Sequence, residues 1–399
     1  MRIFRTCDIL LPALGTDMTR WACVACDQFT SEPDYWQRAE ALVGGANSTL
    51  RLILPEAYLG RRDESAETEK IAAAMERYLR EGVFREIKDS FVYVERTLSS
   101  GAVRRGLVGA LDLEQYDWAE GTRAPIRATE GTVEDRLPPR VKVRMGAALE
   151  LPHIMVFVDD PTGEIIPSTA GGEALYDFEL MLGGGHIRGS RVSGEAAVAV
   201  SARIEALPGE IKFAMGDGNH SLAAAKRCWE AVKPTLGETQ RESHPARFAL
   251  VELVNLHDDA VTFEPIHRLL LGVDGVDFAA AARAALPRRE DGYPVTLLTG
   301  DRRETLRVDA PSIGALIGAV ERVCKDYVSV RGGSIDYIHG DRETEQLSAQ
   351  SGCAGVLLPA MEKGELFPSV EKTGPFPKKS FSIGLGPDKR HYLECRKIK

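Results

Sequence analysis

The segment FAMGDGNHSLAAAK, residues 213–226, constrains the fold more than any other part of the chain. The mostly apolar run 211–215 predicts a short buried strand, Gly-Asp-Gly at 216–218 interrupts it, and the alanine-rich stretch from Ser221 favours a helix. A strand, a tight loop and a helix in this order point the unpaired N–H groups of the first helical turn at one place, where the helix dipole adds positive potential. The segment therefore predicts an anion-binding loop.

The side chains of this loop carry more chemistry than a connector needs. Asp217, Asn219 and His220 bring together a carboxylate, an amide and an imidazole. The plainer interpretation is a capped helix, with Asp217 as a turn residue and Ser221 as the N-cap. Both interpretations stay open at the level of sequence.

Composition limits the class of protein and its partners. The chain has 399 residues, of which 44% are hydrophobic and 27% charged, as in ordinary globular proteins. The net charge of -9 repels nucleic acid and anionic membranes, so we expect a small-molecule substrate and neither a nucleic-acid nor a membrane partner. No apolar run is long enough for a membrane span or a secretory signal, which predicts a cytoplasmic location, and homodimer formation stays open.

The cysteines do not indicate a disulfide framework. Seven cysteines, an odd number, are scattered over the chain. Cys23 and Cys26 form one CxxC pair, but zinc needs four ligands, and the context of a thioredoxin-like redox pair is missing. We interpret the cysteines as structural.

A second polar cluster lies at residues 126–144, IRATEGTVEDRLPPRVKVR. Several arginines surround Glu130 and Asp135 there, and guanidinium groups held together are suited to binding phosphate or carboxylate. The alternative is a solvated, salt-bridged loop. The candidate anion-binding residues of the cluster are Arg127, Thr132, Arg136 and Arg140.

Three further places are candidates for ligand contact. Three consecutive glycines at 183–185 precede His186 and Arg188, which predicts either a binding loop or a tight bulge. His267 and Arg268 lie between apolar neighbours, where a histidine is more often a core residue than a ligand. Lys379 lies in the last segment, ahead of a closing strand.

The pattern of helices and strands predicts an α/β (α+β) fold with mixed sheets. Apolar residues at helical spacing predict a helix over 65–81, and alternation predicts a hairpin formed by 91–98 and 103–111. Beyond residue 272 helices and strands alternate plainly. We therefore expect an N-terminal α/β region, 1–272, that holds the site, and a C-terminal α/β lobe, 273–399, whose final segment returns to it.

Several well-known motifs are missing from the sequence. There is no Walker phosphate loop, no G-x-S-x-G, no H-E-x-x-H and no protein-kinase signature set. The central loop resembles G-x-G-x-x-G, but Ser221 replaces the third glycine and no clean βαβ unit precedes it, which makes a dinucleotide fold a weak alternative.

Five motifs together resemble the prokaryotic family known as domain of unknown function 1015. They are GDGNHSLAAAK from Gly216, IRATEGTVEDRLPPRV from Ile126, ACDQFTSEPDYW from Ala25, FEPIHRLL from Phe263 and PKKSFSIG from Pro377. The central motif is also similar to the D-G-H-H-R signature of the ParB, sulfiredoxin and free serine kinase superfamily. This resemblance implies a nucleotide-binding core of that type.

By this resemblance, the central loop would bind the phosphates of a nucleotide through Gly216, Gly218, Asn219 and Ser221. Here Asn219 stands for the first histidine of the signature and Ser221 for its arginine, so the positive charge of the signature is missing. The arginines of 127–144, or Lys379, would have to supply it. Sulfiredoxin-like chemistry would need a cysteine in the loop, and none is there.

The resemblance to free serine kinases implies catalytic roles for three residues. Glu130 would act as general base on a substrate hydroxyl, Asp217 would help to hold Mg²⁺ on the phosphates, and His220 would hydrogen-bond the transferring group. His186, Arg188, His267 and Arg268 remain candidates for substrate contact.

The resemblance leaves two functions open. One is a Mg²⁺-dependent phosphotransferase that moves phosphate between a nucleoside di- or triphosphate and a hydroxyl-bearing metabolite, such as a serine-like amino acid. The alternative is a nucleotide-binding regulatory protein, similar to the ParB switch, without metabolite kinase activity. A purely structural protein would leave the three polar clusters unexplained.

Overall fold

The structure, a computed structural model, describes residues 2–384 and 386–399. Its strands within these residues are β1 Phe4–Arg5, β2 Cys7–Pro12, β3 Cys23–Val24, β4 Phe84–Thr97, β5 Val103–Asp112, β6 Tyr116–Asp117, β7 Ile126–Arg127, β8 Leu149–Glu150, β9 Met155–Val158, β10 Ala174–Glu179, β11 His186–Val192, β12 Phe213–Asp217, β13 Phe248–Asn255, β14 Phe263–Leu271, β15 Arg288–Thr299, β16 Arg302–Val308, β17 Ser334–His339, β18 Cys353–Leu357, β19 Phe381–Ile383, β20 His391–Tyr392 and β21 Arg396–Lys397. Its α-helices are α1 Met18–Trp21, α2 Pro33–Val43, α3 Glu64–Arg80, α4 Leu137–Gly146, α5 Gly194–Ala206, α6 Asn219–Val232, α7 Glu238–Ser243, α8 Gly275–Ala285, α9 Ile313–Arg331, α10 Asp341–Ser348 and α11 Leu366–Thr373.

The strands form two mixed or antiparallel main sheets. In the first sheet the strand order is β10-β11-β4-β5-β13-β9-β12-β7-β6, with β1 and β2 paired to β5 and β4. Most neighbours are antiparallel, but β9 pairs parallel with β13, and β7 pairs parallel with both β6 and β12. The predicted hairpin is β4 with β5, and the predicted helix is α3. The prediction of an α/β fold with mixed sheets is confirmed.

The second sheet has the order β16-β15-β18-β14-β17, and β19 also pairs with β14. Since β14 ends at Leu271, this sheet already begins before residue 272. The chain therefore passes from the first sheet to the second between Asn255 and Phe263, ahead of the predicted boundary. After β19 the chain returns to the first region, where β20 pairs with β3 and β21 with β8.

Apolar side chains on α6 pack that helix against the first sheet. Leu222, Ala225 and Trp229 recur at helical spacing and are buried against the core beneath the sheet. Burying side chains as large as leucine contributes about 1.5–3 kcal/mol each. The start of α6 is thus held in a fixed position at the edge of the sheet.

A continuous core joins the two sheets. It contains the inner faces of α8, α9 and α11 together with Phe157 and Val254 from the first sheet. Across residues 2–384 and 386–399, none of the helices combines the length and apolarity that crossing a membrane requires.

Candidate functional site

Two neighbouring parallel strands, β7 and β12, place the two central carboxylates side by side. Just beyond the paired residues, the Thr129 hydroxyl donates to the Met215 carbonyl at 2.7 Å. Glu130 lies three residues beyond the end of β7, and Asp217 is the last residue of β12. Because the carboxyl ends of parallel strands meet at the same edge of a sheet, both side chains lie at one edge, where ligands bind in open α/β sheets.

The start of α6 faces the same edge. Its N-cap is Gly218, with φ 78° and ψ 26°, and no side chain in the described part of the chain caps it. A Cβ on Gly218 would lie 3.0 Å from the Cα of Ile154, so glycine meets both the backbone angle and the close packing. Ser221 is the third residue of the helix and not its N-cap, which corrects the plainer interpretation of the sequence. The buried Oδ1 atom of Asn219 also has no hydrogen-bond partner among the described residues.

The C-terminal segment closes the site from the other side. The Phe376 amide donates to the Thr129 carbonyl at 2.7 Å, which joins this segment to the chain just before Glu130. Four residues later the backbone N–H of Ser380 lies near the Glu130 carboxylate and lowers its pKa. Lys379, between them, has φ 59°, an uncommon angle for a residue with a side chain. Such angles persist where the surrounding structure enforces them, often at functional sites.

These segments enclose a polar cavity of about 320 Å³, within the range of small-molecule sites. Its lining comprises Cys26, Asp27, Gln28, Glu56, Thr129, Glu130, Arg140, His153, Gly216, Asp217, Gly218, Asn219, His220, Ser221, Ile266, His339, Lys379, Phe381, Ser382, Ile383 and Lys389.

The Glu130 carboxyl of this cavity has a strongly raised pKa. Burial raises its pKa to about 7, and the neighbouring Asp217 carboxylate adds to the rise. The Ser380 amide and the ammonium groups of Lys389 and Lys379 oppose it. A carboxylate with a pKa near neutrality is suited to accept a proton from a substrate and release it again.

Asp217 has the opposite character. Burial raises the pKa of its carboxyl, but the Lys389 ammonium, the His153 imidazole and the Gly218 amide lower it more, so the net pKa lies below the usual value. The Lys389 Nζ atom is 3.2 Å from Asp217 Oδ2, and the Gly218 amide donates at 2.9 Å. Two adjacent carboxyls with pKa values pushed apart are typical of a divided acid-base site.

His220 is uncharged at neutral pH. Burial lowers its pKa to about 4, with further lowering by the Arg140 and Arg136 guanidinium groups and Lys378. Its Nε2 atom accepts a hydrogen bond from the Val133 amide at 3.2 Å. In the neutral imidazole the other nitrogen then carries the hydrogen, so Nδ1 is a donor.

Nine of the residues singled out from the sequence line this cavity. They are Glu130, Asp217, His220, Gly216, Gly218, Asn219, Ser221, Arg140 and Lys379. The other seven, Arg127, Thr132, Arg136, His186, Arg188, His267 and Arg268, are absent from its lining.

Three of these seven lie near the cavity without lining it. Arg127 is buried, and its Nε atom donates to the Ala124 carbonyl at 2.8 Å beside a separate cavity. Thr132 is half-buried, and Arg136 is exposed at the start of α4. Of the predicted arginine cluster, the structure therefore brings only Arg140 to the cavity, where it pairs with Glu56.

His186 and Arg188 lie on β11, far from the cavity. The strands β4, β5, β13 and β9 separate β11 from β12 in the sheet. His186 Nε2 is 2.7 Å from Asp177 Oδ1, and Arg188 pairs with Glu95. The three glycines before them lie in the turn that joins β10 to β11, where Gly185 packs against the Thr97 carbonyl at the end of β4.

His267 is a satisfied core residue. Its Nε2 atom is 2.8 Å from Asp341 Oδ1, and its Nδ1 atom accepts from the Leu358 amide at 3.1 Å. With both ring nitrogens engaged and the side chain buried, it has no position left for a substrate.

Arg268 supports the site from behind. Its fully buried guanidinium pairs with Glu321 at 2.8 Å and donates to the Lys379 carbonyl at 2.9 Å. Arg268 therefore positions the backbone of Lys379 and does not contact a ligand itself.

His153 and Lys389 are the main cavity residues that the sequence motifs did not indicate. His153 precedes β9, which pairs with β12, so its place beside Asp217 depends on strand order. Lys389 lies in the loop before β20 and reaches the cavity because the chain returns there. A single lysine or histidine outside a motif gives no signal of this in the sequence.

An apolar compartment of about 180 Å³ adjoins the polar cavity. The two share the residues Cys26, Glu56, Arg140, His153 and Ser221. Leucine, isoleucine and valine side chains form much of the remaining wall, among them Leu52, Leu54, Val143, Leu149 and Ile154. A ligand with one polar and one apolar end would fit both spaces.

The carboxylates could take part in binding a magnesium ion. Mg²⁺ is commonly held by one or two carboxylates together with substrate phosphates and water. Glu130 and Asp217 supply this donor chemistry, although Asp217 is also paired with Lys389. Within the described chain, no group of three or more His, Cys, Asp or Glu side chains converges to bind a metal by itself.

Comparison with known proteins identifies the family. The chain belongs to the family described as protein of unknown function DUF1015, whose model matches residues 10–313. This confirms the family predicted from the five motifs. Among curated protein sequences, none matches the chain.

Solved structures show partial similarity at low identity. A conserved hypothetical protein from Pyrococcus furiosus is 10% identical, with a TM-score of 0.37 over 72% of this chain and 94% of that one. SbnI with a C-terminal truncation, from Staphylococcus aureus, is 12% identical, with a TM-score of 0.37 over 70% of this chain and 82% of that one. Free serine kinase in complex with AMP is 10% identical, with a TM-score of 0.38 over 72% of this chain and 91% of that one.

Proposed function

We propose that this protein is a phosphotransferase that moves phosphate between a nucleotide and a hydroxyl-bearing small molecule. One observation carries the proposal: a carboxyl with a pKa near 7, that of Glu130, lines the same cavity as the uncapped start of α6. Phosphoryl transfer needs a place for phosphate and a base for the attacking hydroxyl.

The phosphate end of the nucleotide would lie at the start of α6. The N–H groups of its first turn and the helix dipole favour an anion, and Gly218 lets the backbone approach closely. Lys379 and Lys389 add positive charge at the cavity wall. These lysines replace the basic residue that the central motif lacks.

Glu130 would act as the general base. Its carboxylate takes the proton of the acceptor hydroxyl as the oxygen attacks phosphorus. Because its pKa is near 7, it is ionised often enough at neutral pH to accept that proton and basic enough to hold it. His220, uncharged, would donate from Nδ1 to an oxygen of the transferring group.

Asp217 would hold Mg²⁺ together with the phosphates. The ion would supply neutralisation of phosphate charge. The low pKa of Asp217 keeps its carboxylate ionised for this purpose over the neutral range.

Phosphorus NMR of the purified protein tests this proposal directly. The protein is mixed with Mg²⁺, ATP, ADP or CTP, and a panel of hydroxy acids and hydroxy amino acids. A new phosphoester signal with one acceptor is the expected result. If a nucleotide binds but no phosphoester forms, the regulatory alternative is favoured instead. If no nucleotide raises the melting temperature of the protein, both the phosphotransferase and the regulatory function are refuted.

Two variants separate the proposed general-base role of Glu130 from the proposed role of Asp217 in nucleotide binding. Glu130→Gln should lower transfer by about 10²–10⁴-fold and keep nucleotide binding. Asp217→Asn should weaken nucleotide binding in a way that depends on Mg²⁺. Glu69→Gln, at an exposed position of α3, is the matched control and should behave as the parent. Parental transfer rates in both site variants would sink the assignment.

A further inference from the structure

A chain of hydrogen bonds links a serine of the cavity to a buried histidine. The Oγ atom of Ser221 is 3.1 Å from His153 Nε2, and His153 Nδ1 is 3.0 Å from the Tyr392 hydroxyl. The same hydroxyl oxygen accepts from the Cys26 amide at 3.2 Å. A hydroxyl, an imidazole and a third group that orients the imidazole form the arrangement of an activated nucleophile.

The third group determines which nitrogen of His153 carries the hydrogen. The Tyr392 hydroxyl oxygen accepts from the Cys26 amide and has a second lone pair for another donor. When that lone pair accepts from His153, Nδ1 is the donor. Nε2 then has a lone pair facing Ser221 and can take the proton of its hydroxyl.

Both partners are held in place, and the serine is accessible. His153 is buried and packs edge-on against the Tyr392 ring, with centroids 5.4 Å apart. Ser221 is half-buried and lines both the polar cavity and the adjoining apolar compartment. Its position in the first turn of α6 places it where the phosphate end of a nucleotide is proposed to lie.

We propose that Ser221 is a covalent carrier of the phosphoryl group, with His153 as its base. This inference rests on the proposed phosphotransferase function for its phosphoryl donor. It changes the reaction from one direct transfer into two successive displacements.

In the first displacement Ser221 Oγ forms a bond to the terminal phosphorus of the nucleotide. The bond from that phosphorus to its bridging oxygen breaks, the electron pair leaves with the shortened nucleotide, and the hydroxyl proton moves to His153 Nε2. In the second, the acceptor oxygen bonds to phosphorus and gives its proton to Glu130. The bond from phosphorus to Ser221 Oγ breaks with its electron pair on Oγ, and His153 returns the proton.

Two reagents test the serine independently. A fluorophosphonate reacts with activated serines without any nucleotide, and ATP with Mg²⁺ should leave one phosphoryl group on the protein when no acceptor is added. Peptide mass spectrometry should place both adducts on Ser221, and adding the acceptor should remove the phosphoryl group. His153→Gln should slow fluorophosphonate labelling by about 10²-fold or more, and Tyr392→Phe should slow it less. Ser65→Ala is the control, because Ser65 is exposed in the first turn of α3 and its hydroxyl accepts a hydrogen bond from Lys142 outside the cavity lining.

The outcomes separate this inference from the proposed function. No adduct on Ser221 with either reagent would overturn the inference. Transfer to an acceptor at the parental rate by Ser221→Ala would also overturn it, while the phosphotransferase function would stand. Labelling of Ser221 by the fluorophosphonate that is lost in His153→Gln would support the activated serine. If no acceptor were phosphorylated in the same protein, only the phosphotransferase function would be refuted.

Discussion

Replacing Glu130 by glutamine should stabilise the protein, and more so as the pH rises. In the unfolded chain this carboxyl ionises with its ordinary pKa of 4.5, whereas in the folded protein burial raises the pKa to about 7. Between these values the folded state binds the extra proton, so stability falls as the pH increases through this window. Glutamine has nearly the same shape and carries no charge, so it removes this penalty.

The size of the effect follows from the two pKa values. The rise from 4.5 to about 7 corresponds to about 3.4 kcal/mol when both states are fully ionised, at 1.36 kcal/mol per pH unit. Part of that penalty is already present at about pH 5, so the advantage of Glu130→Gln over the parent should grow by about 2.5 kcal/mol from about pH 5 to about pH 8. The measured difference should be smaller than this where water enters the cavity and screens the charge of the Glu130 carboxylate.

Urea unfolding followed by tryptophan fluorescence measures this difference at each pH. Glu69→Gln, which removes an exposed carboxylate from α3, serves as the control and should change little with pH. If Glu130→Gln gains no more than the control between about pH 5 and about pH 8, the raised pKa and the role built on it are refuted.

Three further predictions follow from the same site. The rate of phosphoryl transfer should rise about tenfold per pH unit below about pH 7 and level off above it, as Glu130 ionises; a flat kcat profile would contradict the role of that residue as base. Lys389→Met should destabilise the protein by about 1–3 kcal/mol at neutral pH, because Asp217 loses its ammonium partner. Since the pKa of Asp217 is lowered in the folded state, this difference should vanish as the pH falls through that pKa, which urea unfolding in acid would show. Gly218→Ala should lower the free energy of unfolding by about 1–3 kcal/mol, because φ is 78° and the new Cβ would lie 3.0 Å from the Cα of Ile154. An unchanged melting temperature, or an unchanged shift of the melting temperature on adding nucleotide, would contradict the close approach of the backbone at the start of α6.

The local features of the site were predictable because they depend on neighbours in the chain. Apolar residues, then Gly-Asp-Gly, then alanines give a strand, a turn and a helix wherever this segment is placed, so their order could be predicted. The predicted break at 216–218 is shorter in the structure, because β12 continues through Asp217 and only Gly218 separates it from α6. The helix start was misplaced by three residues in the plainer interpretation, since Gly218 and not Ser221 caps α6, with a left-handed backbone that the sequence alone does not fix. The motif resemblance indicated Glu130, which lines the same cavity as Asp217.

Long-range contacts account for what the sequence did not indicate. Charged pairs such as Arg188 with Glu95 form between strands that are distant in sequence, so an arginine cluster or a glycine run cannot reveal which side chains face a cavity and which pair with each other. His153 and Lys389 belong to no motif, and they reach Asp217 only through strand order and the return of the C-terminal segment.

The sequence by itself determined the α/β class, the family and the strand-turn-helix order of the central segment, because periodicity, turn residues and motif spacing are properties of short segments. The tertiary structure decided the chemistry around that loop. Burial beside Asp217 sets the pKa of Glu130, and the pairing of β9 with β12 brings His153 to Ser221. The burial of Glu130 and the contacts between residues far apart in the sequence exist only once the chain has folded.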